Sequence, residues 1–500
     1  MTTGRILARN TGLNLLGQVG PLIVAFFAVP VLVAGLGIDR FGILTLAWTA
    51  IGYFSLFDLG LSRALTQAVS AALGGGRHEE LPELSLTALV ALALLGALGG
   101  LVLAALAPLL VERVLRIPAP LHDEAQRSFY LLAASLPFVL GTAGLRSLLE
   151  AHQDFGLATM LRVPYAIFNF VAPLAILPFS HSLVPVVGVL VVGRVLVWFA
   201  HAVVCARRYA FLRQWAPIRR ATVVPMLRQG GWMTVSNIVS PLMVNLDRFL
   251  VAALLSVTAV AHYATPYDML MKLLLIPTAL LGVLFPAFAA TFDQDRGATA
   301  RLLERAIRLM IVAMFPFAIV LVTFAHEGLF LWLGSDFAQA STSIVQWLAA
   351  GVFINSIGQI PFSALQAIGR SDITAKLHAV ELPLYAIAIV WLTRTVGLPG
   401  VAMAWTLRVA FDTAMLLWLS SNRLPETRPA LRAPLLIVVV LLGALIPAAL
   451  LQKLGAKVAF DAIVLAAFGI YVWVHLLQAD ERLMLRRWTQ WGQTRLNPTE

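Results

Sequence analysis

The sequence predicts an all-α polytopic membrane protein of about fourteen transmembrane helices, arranged as two pseudo-symmetric six-helix lobes plus two C-terminal helices. Three observations lead there. Of the 500 residues, 60% are hydrophobic and only 12% charged, where a soluble domain carries about 25% charged residues. Apolar runs recur from end to end, most of them near the ~20 residues that cross ~30 Å of hydrocarbon as a helix. Short sequence matches also recur at a nearly constant offset of 216 positions. Helices are the expected element because they satisfy their own backbone, which lipid cannot do.

Between charged or Gly/Pro-rich breaks, helices are expected at 11–35, 41–72, 84–111, 127–150, 158–178, 183–206, 230–255, 259–291, 306–333, 338–367, 373–394, 399–421, 433–451 and 458–478. The first follows Arg5 and Arg9, as a signal peptide would. It spans a bilayer, contains Asn14 and Gln18, and precedes a dozen further spans, so it reads as an uncleaved helix. Prolines within spans (Pro21, Pro30, Pro137, Pro241, Pro277, Pro286 and Pro361) interrupt the hydrogen-bond ladder and permit bends.

The net charge of +11 lies in the loops. That placement argues against a nucleic-acid partner. With the amino terminus inside, about 22 of the 36 basic residues fall in inside segments, about 7 outside and about 7 within spans. Both termini are therefore expected on the cytoplasmic side of the membrane. The inside clusters include Arg207, Arg208, Arg213, Arg219 and Arg220; Arg296, Arg301, Arg305 and Arg308; and Arg482, Arg486 and Arg487. Topology and attraction to anionic lipid head groups explain them. A single cysteine, Cys205, excludes an intrachain disulfide and leaves too few thiolates for a structural metal site.

The long basic loop after Arg207 divides the chain. The expected organisation is an N-terminal lobe at 1–210, a linker at 211–229, a second lobe at 230–422, two added helices at 423–480 and a basic tail at 481–500. Ser147-Leu-Leu-Glu-Ala151 precedes Ser363-Ala-Leu-Gln-Ala367 by 216 positions, as Leu161 precedes Leu377. Arg194-Val195 recurs as Arg408-Val409 at an offset of 214. Six intervening spans give both copies one orientation, the parallel-repeat arrangement with a substrate path between halves.

A charge in hydrocarbon costs ~2.5–3.5 kcal/mol on insertion scales, so an ionisable residue in mid-span normally faces a bundle interior or a wet cavity. The chain repeats this expense at Asp58, Arg63, Arg146, Glu150, Arg162, Arg194, Asp247, Arg248, Asp268, Lys272, Glu381, Arg408 and Asp412. Arg146/Glu150, Asp268/Lys272 and Arg408/Asp412 stand four apart on one helix face, where each is either a structural pair or part of a cavity wall. Arg63, Arg194 and Arg248 have no same-face acid and read as cavity lining, whereas Arg162 lies near a helix end and snorkels. Guanidinium groups match phosphate oxygens bidentately and keep their charge, so such a cavity suits an anionic solute. Asn169, Asn237, Asn245, Gln346, Asn355, Gln359 and Gln366 suit sugar hydroxyls and helix-to-helix bonding equally.

Soluble-enzyme signatures are absent: no Walker loop, no dinucleotide fingerprint, no HExxH and no catalytic Cys/His set. Gly74-Gly75-Gly76 reads as a flexible turn. No cofactor is expected and no ATPase segment is found, so uphill transport requires an ion gradient or a partner.

Several stretches resemble a known family. They are Pro30-Val-Leu-Val-Ala-Gly-Leu-Gly37, Phe41-Gly42, Ser55-Leu-Phe-Asp58-Leu-Gly60-Leu-Ser62, Asp247-Arg248-Phe249 with Tyr263, Pro277 and Pro286, Gln366-Ala-Ile-Gly-Arg370, and Gly397-Leu-Pro-Gly-Val-Ala402. Together they resemble the bacterial polysaccharide-biosynthesis flippases of O-antigen type, in the multidrug/oligosaccharidyl-lipid/polysaccharide exporter superfamily, over roughly residues 10–420. The resemblance implies two six-helix lobes around a cationic cavity, extra carboxy-terminal helices and alternating access. It also implies a non-enzymatic carrier moving a polyprenyl-pyrophosphate-linked oligosaccharide outward for lipopolysaccharide or exopolysaccharide synthesis. The implied partners are that substrate, membrane lipids, and a polysaccharide polymerase with its assembly machinery. Asp58, Gly60, Asp247 and Arg248 match the family's motif positions.

On the charge argument, Arg63, Arg146, Arg194, Arg248, Lys272 and Arg408 are the expected substrate-binding residues, and Asp58, Asp247 and Asp412 the ion-coupling candidates. Two alternatives stand beside this reading. An ion-coupled multidrug antiporter of the same superfamily would depend on cavity acids and tolerate arginine loss. A polytopic glycosyltransferase or polymerase would need an acidic catalytic residue and a long outward loop, and the longest outward loop here runs only from about Glu112 to Arg127.

Overall fold

The computed structural model describes residues 20–53, 58, 60–214, 217, 246–292, 295–368, 370–423 and 425–476. Asn14, Gln18, Arg219, Arg220, Asn237, Pro241, Asn245 and the tail arginines lie outside them, as does the side chain of Arg63. The described residues are helical almost throughout and contain no strand.

Seventeen described helices follow in order: α1 (Gly20–Leu36), α2 (Ile38–Tyr53), α3 (Leu61–Gly74), α4 (Leu81–Leu109), α5 (His122–Ala151), α6 (Phe155–Ile176), α7 (Leu183–Arg208), α8 (246–254), α9 (Val257–Met271), α10 (Leu275–Phe292), α11 (Arg296–Thr323), α12 (Ala325–Leu333), α13 (Ser335–Ala367), α14 (Ser371–Val396), α15 (Pro399–Arg423), α16 (Thr427–Leu450) and α17 (Leu454–Tyr471). Ten helical stretches are long and apolar enough to cross a membrane, and Gly20–Leu36 and Ala64–Gly74 are shorter apolar ones. Among the described residues, those up to Thr265 with Ala386–Val401 form one compact unit, and Pro266–Tyr385 with the residues from Ala402 onward form a second.

The duplication reappears in the helix ends. Ala151 and Ala367 close α5 and α13, and Phe155 and Ser371 open α6 and α14, each pair 216 positions apart. Expected helices 41–72 and 259–291 are each divided, the first into α2 and α3 and the second into α9 and α10. The first restarts at Gly60, which has φ 72°, while the Gly60 amide donates to Asp58 Oδ1 at 2.8 Å. A side chain at Gly60 would be strained in this left-handed conformation. The second division is a 3-10 turn at Lys272–Leu274. Leu274 lies 216 positions after Asp58, so both copies break at the same place. The helix expected at 306–333 likewise starts earlier, at Arg296, and yields to the separate α12 after Thr323.

In the first unit, α4 and α5 meet through small residues. A Cβ on Gly96 would lie 2.6 Å from Pro137 Cα, and one on Gly100 2.6 Å from the Ala133 carbonyl oxygen. Small residues four apart let membrane helices approach backbone to backbone, where packing replaces the hydrophobic effect as the source of cohesion. The opposite side of α4 exposes Leu94, Leu98 and Leu101, apolar groups suited to lipid. At one end of this bundle the short α5–α6 turn is locked. Tyr209 Oη donates to Asp154 Oδ2 at 2.7 Å, Arg208 approaches the same oxygen at 3.4 Å, and His152 stacks on Tyr209 with ring centroids 4.0 Å apart. The Tyr209 hydroxyl outweighs burial and, with Arg208, holds the Asp154 carboxyl below its usual range. Burial, followed by Asp154 itself, pushes the Tyr209 phenol up.

In the second unit, α16 and α17 have no repeat counterpart and are pinned by polar contacts. Lys457 Nζ reaches both Glu327 oxygens at 2.8 Å, Thr323 Oγ1 donates to Asp461 Oδ1 at 2.7 Å, and Gln346 Nε2 donates to the Val322 and Ala449 carbonyls at 3.3 and 3.2 Å.

Gly100→Val forces a side chain into the Ala133 backbone and should cost about 1–3 kcal/mol, lowering the thermal midpoint of the detergent-purified protein. Tyr209→Phe removes the donor to Asp154 and should cost about 1–2 kcal/mol. Because the folded Asp154 pKa is depressed, the loss should be full at pH values above the ordinary carboxylate pKa and fade as pH falls through the lowered folded value. Denaturation curves of both proteins against pH check this.

Candidate functional site

The expected site residues fall into groups that are best described within each unit. In the first, Arg194 projects from α7 and is 3% exposed. Its Nη1 donates to Ser135 Oγ of α5 at 2.9 Å, and Tyr165 of α6 lies beside it. Among the described residues Nε and Nη2 meet no hydrogen-bond acceptor beyond the neighbouring Tyr165 hydroxyl, and no carboxylate forms an ion pair with the group. A guanidinium held by neutral hydroxyls among three helices keeps an unbalanced positive charge, which an incoming anion can satisfy bidentately.

A second arginine is anchored differently. Arg248 of α8 is 6% exposed, and its Nη1 donates to Thr49 Oγ1 of α2 at 2.9 Å. The preceding Asp247 is fully buried. It accepts from the Arg248 amide at 2.8 Å and from Tyr263 Oη of α9 at 2.5 Å. The family-type Asp-Arg dipeptide and tyrosine thus form one buried network, with the acid committed to Tyr263 and the arginine to Thr49.

In the second unit Arg408 of α15 approaches Glu381 Oε2 of α14 at 3.7 Å, and its guanidinium carbon lies 5.2 Å from the Tyr385 ring centroid. Asp412 Oδ1 lies 3.6 Å from His378 Nε2 of α14. The expected intrahelical pair Arg408/Asp412 is therefore replaced by two cross-helix contacts, because α14 offers each residue a nearer partner of opposite chemistry. The two arginine sites are repeat-related: Tyr165 and Glu381 are 216 positions apart, and Arg194 and Arg408 are 214 apart. One arginine leans on a tyrosine, the other on an acid.

The remaining expected residues lie elsewhere. Arg146 pairs with Glu150 at 3.3 Å as expected, and both are more than a third exposed. Asp268 and Lys272 are exposed, and Lys272 opens the 3-10 turn, where α-helical spacing is lost. Asp58 serves the helix restart at Gly60. The partners Ser135, Tyr165, Thr49 and His378 carried no signal as isolated residues, whereas Tyr263 stood among the stretches that resemble the family. The 216-position offset, applied to the neighbours of Arg408, points to Tyr165.

A family model described as polysaccharide biosynthesis protein matches residues 7–292. The chain is 30% identical over 418 residues to a putative O-antigen transporter of Shigella flexneri, covering 83% of this chain and 97% of that protein. Its fold is similar to that of a multidrug resistance MATE family transporter of the MOP superfamily in an inward-facing conformation. There the TM-score is 0.69 at 15% identity, over 81% of this chain and 96% of that one. It is similar also to the lipid II flippase MurJ in an inward closed conformation, with TM-score 0.68 at 14% identity over 91% and 98% of the two chains. A multi-span helical membrane protein with these matches over most of its length belongs to the polysaccharide biosynthesis protein family.

Proposed function

We propose that the chain is a flippase, not an enzyme, that carries a polyprenyl-pyrophosphate-linked oligosaccharide from the cytoplasmic to the outer leaflet of the bacterial inner membrane. The oligosaccharide would feed surface polysaccharide synthesis. The observation that carries this reading is Arg194, a buried guanidinium among three helices that meets only neutral hydroxyls, with no acid paired to it among the described residues. Family membership and the 30%-identical O-antigen transporter supply the substrate class. Both termini face the cytoplasm in this reading, in keeping with the basic loops.

Lobes at 1–210 and 230–422, joined by the linker at 211–229, alternate their openings, with 423–480 as added helices and 481–500 as a basic tail. The pyrophosphate and sugar acids are drawn by Arg194, Arg248 and Arg408, with Arg63, Arg146 and Lys272 as further cationic positions along the path. Asp58, Asp247 and Asp412 are the acids from which coupling is drawn. Asp412 suits the task best, since Asp58 and Asp247 already accept from Gly60 and Tyr263. A polysaccharide polymerase and assembly machinery take the product.

Complementation of a strain lacking its O-antigen flippase tests the reading. Arg194→Glu and Arg248→Glu should each abolish the polymerised lipopolysaccharide ladder while membrane levels stay at wild type. Full ladders from both variants would remove the cationic path. Arg194→Lys keeps the charge and loses the fork, and should give a weakened ladder at the same protein level. Mass spectrometry of lipids retained by the gently purified wild type should find a prenyl-pyrophosphate oligosaccharide.

A further inference from the structure

The acids around Arg408 have the wrong sign for handling an anion. His378, Glu381 and Tyr385 recur at three and four positions along α14, and Arg408 and Asp412 stand four apart on α15, so each set lies along one helix face. Single atoms from His378, Glu381 and Asp412 lie within 4.8 Å of one another. The Glu381 side chain is 1% exposed, Asp412 15% and His378 29%. From α13, the Phe362 ring stacks on His378 at 5.7 Å. Among the described contacts, the titratable and charged groups facing the cluster are His378, Glu381 and Tyr385 from α14 and Arg408 and Asp412 from α15.

Two counts fail when both acids are ionised. With Arg408 positive and the imidazole neutral, the cluster holds one excess negative charge in a low-dielectric interior. Among the described residues neither Glu381 oxygen nor Asp412 Oδ1 has a hydrogen-bond donor, because Arg408 at 3.7 Å is beyond hydrogen-bond reach. One proton removes the excess charge and lets one carboxyl donate to the other. The repeat supplies an internal contrast: the corresponding positions of the first half are Arg162, Tyr165, Arg194 and Trp198, with no acid among them. A hard metal cation is poorly suited, since it takes several oxygens, while here a guanidinium and an imidazole occupy the approaches.

We infer that His378, Glu381 and Asp412 form a proton-binding site in the second half of the chain, loaded through the more exposed His378 and Asp412 and stored against the sealed Glu381. A carboxylate takes the proton from water through His378 and returns it to water later in the cycle. The loaded cluster is neutral, so Glu381 holds Arg408 less tightly and the guanidinium becomes available to an anion. The use of the proton for transport rests on the flippase reading, whereas the site itself does not.

The test is pH-difference infrared spectroscopy of the full-length protein in lipid nanodiscs without substrate. It is paired with flipping of a fluorescent prenyl-pyrophosphate glycan in proteoliposomes under an imposed pH gradient. The wild type should show a protonated-carboxyl band that titrates with pH and is unchanged when sodium replaces potassium. Glu381→Gln and Asp412→Asn should each lose that band, and His378→Gln should shift its titration. Acceleration of flipping by the gradient should disappear in Glu381→Gln. A wild type without a titrating band, a band that persists in both acid variants, or a band set by sodium at constant pH would each overturn the proposal. The first and third of these outcomes are read on the wild type and need no variant to fold. A titrating band in a protein that flips no glycan would leave the proton site standing and remove the flippase reading.

Discussion

Everything in this structure answers to the expense of placing charge where water is scarce. A buried guanidinium survives only with partners, and the choice of partner decides whether it remains an attractive centre. The chain uses both options at one repeated position. Arg194 rests on Ser135 and Tyr165 and keeps its positive field, whereas Arg408 faces Glu381 and the aromatic ring of Tyr385. Duplication supplied two equivalent arginines, and differences on the neighbouring helix gave them opposite surroundings.

Around these charges the helices cohere by shape and by polar bonds, as lipid offers no hydrophobic drive between them. The Gly96/Gly100 seam brings α4 and α5 to backbone contact. The hairpin α16–α17, outside the duplication, depends on Lys457, Asp461 and Gln346 to hold its place. An element added to a finished bundle has few complementary small-residue seams, and polar contacts supply its register instead.

Much of the fold was legible in the sequence because spans are written in bulk hydropathy, a property averaged over twenty residues. The divisions of the second and eighth expected helices were not, because the apolar pattern continues through both breaks and only Gly60 marks the first. Arg194 was legible as an arginine without an acid four positions away. The cross-helix partners of Arg408 and Asp412 were not legible, because helical spacing registers partners on the same helix only, and α14 had closer ones. His378 passed unseen, since a lone histidine on an apolar helix carries no signal until a neighbouring helix brings an acid to it.

The twin interruptions, at Gly60 and at Lys272–Leu274, have a mechanical consequence. Each half inherited a joint at the same repeat position as its copy. Gly60 has left the α conformation and Lys272–Leu274 winds as a 3-10 turn, so bending there disturbs fewer α-helical hydrogen bonds than bending in mid-helix. Two stiff rods per half, articulated where the chain has relinquished regular winding, make compliance a property of the duplicated unit itself.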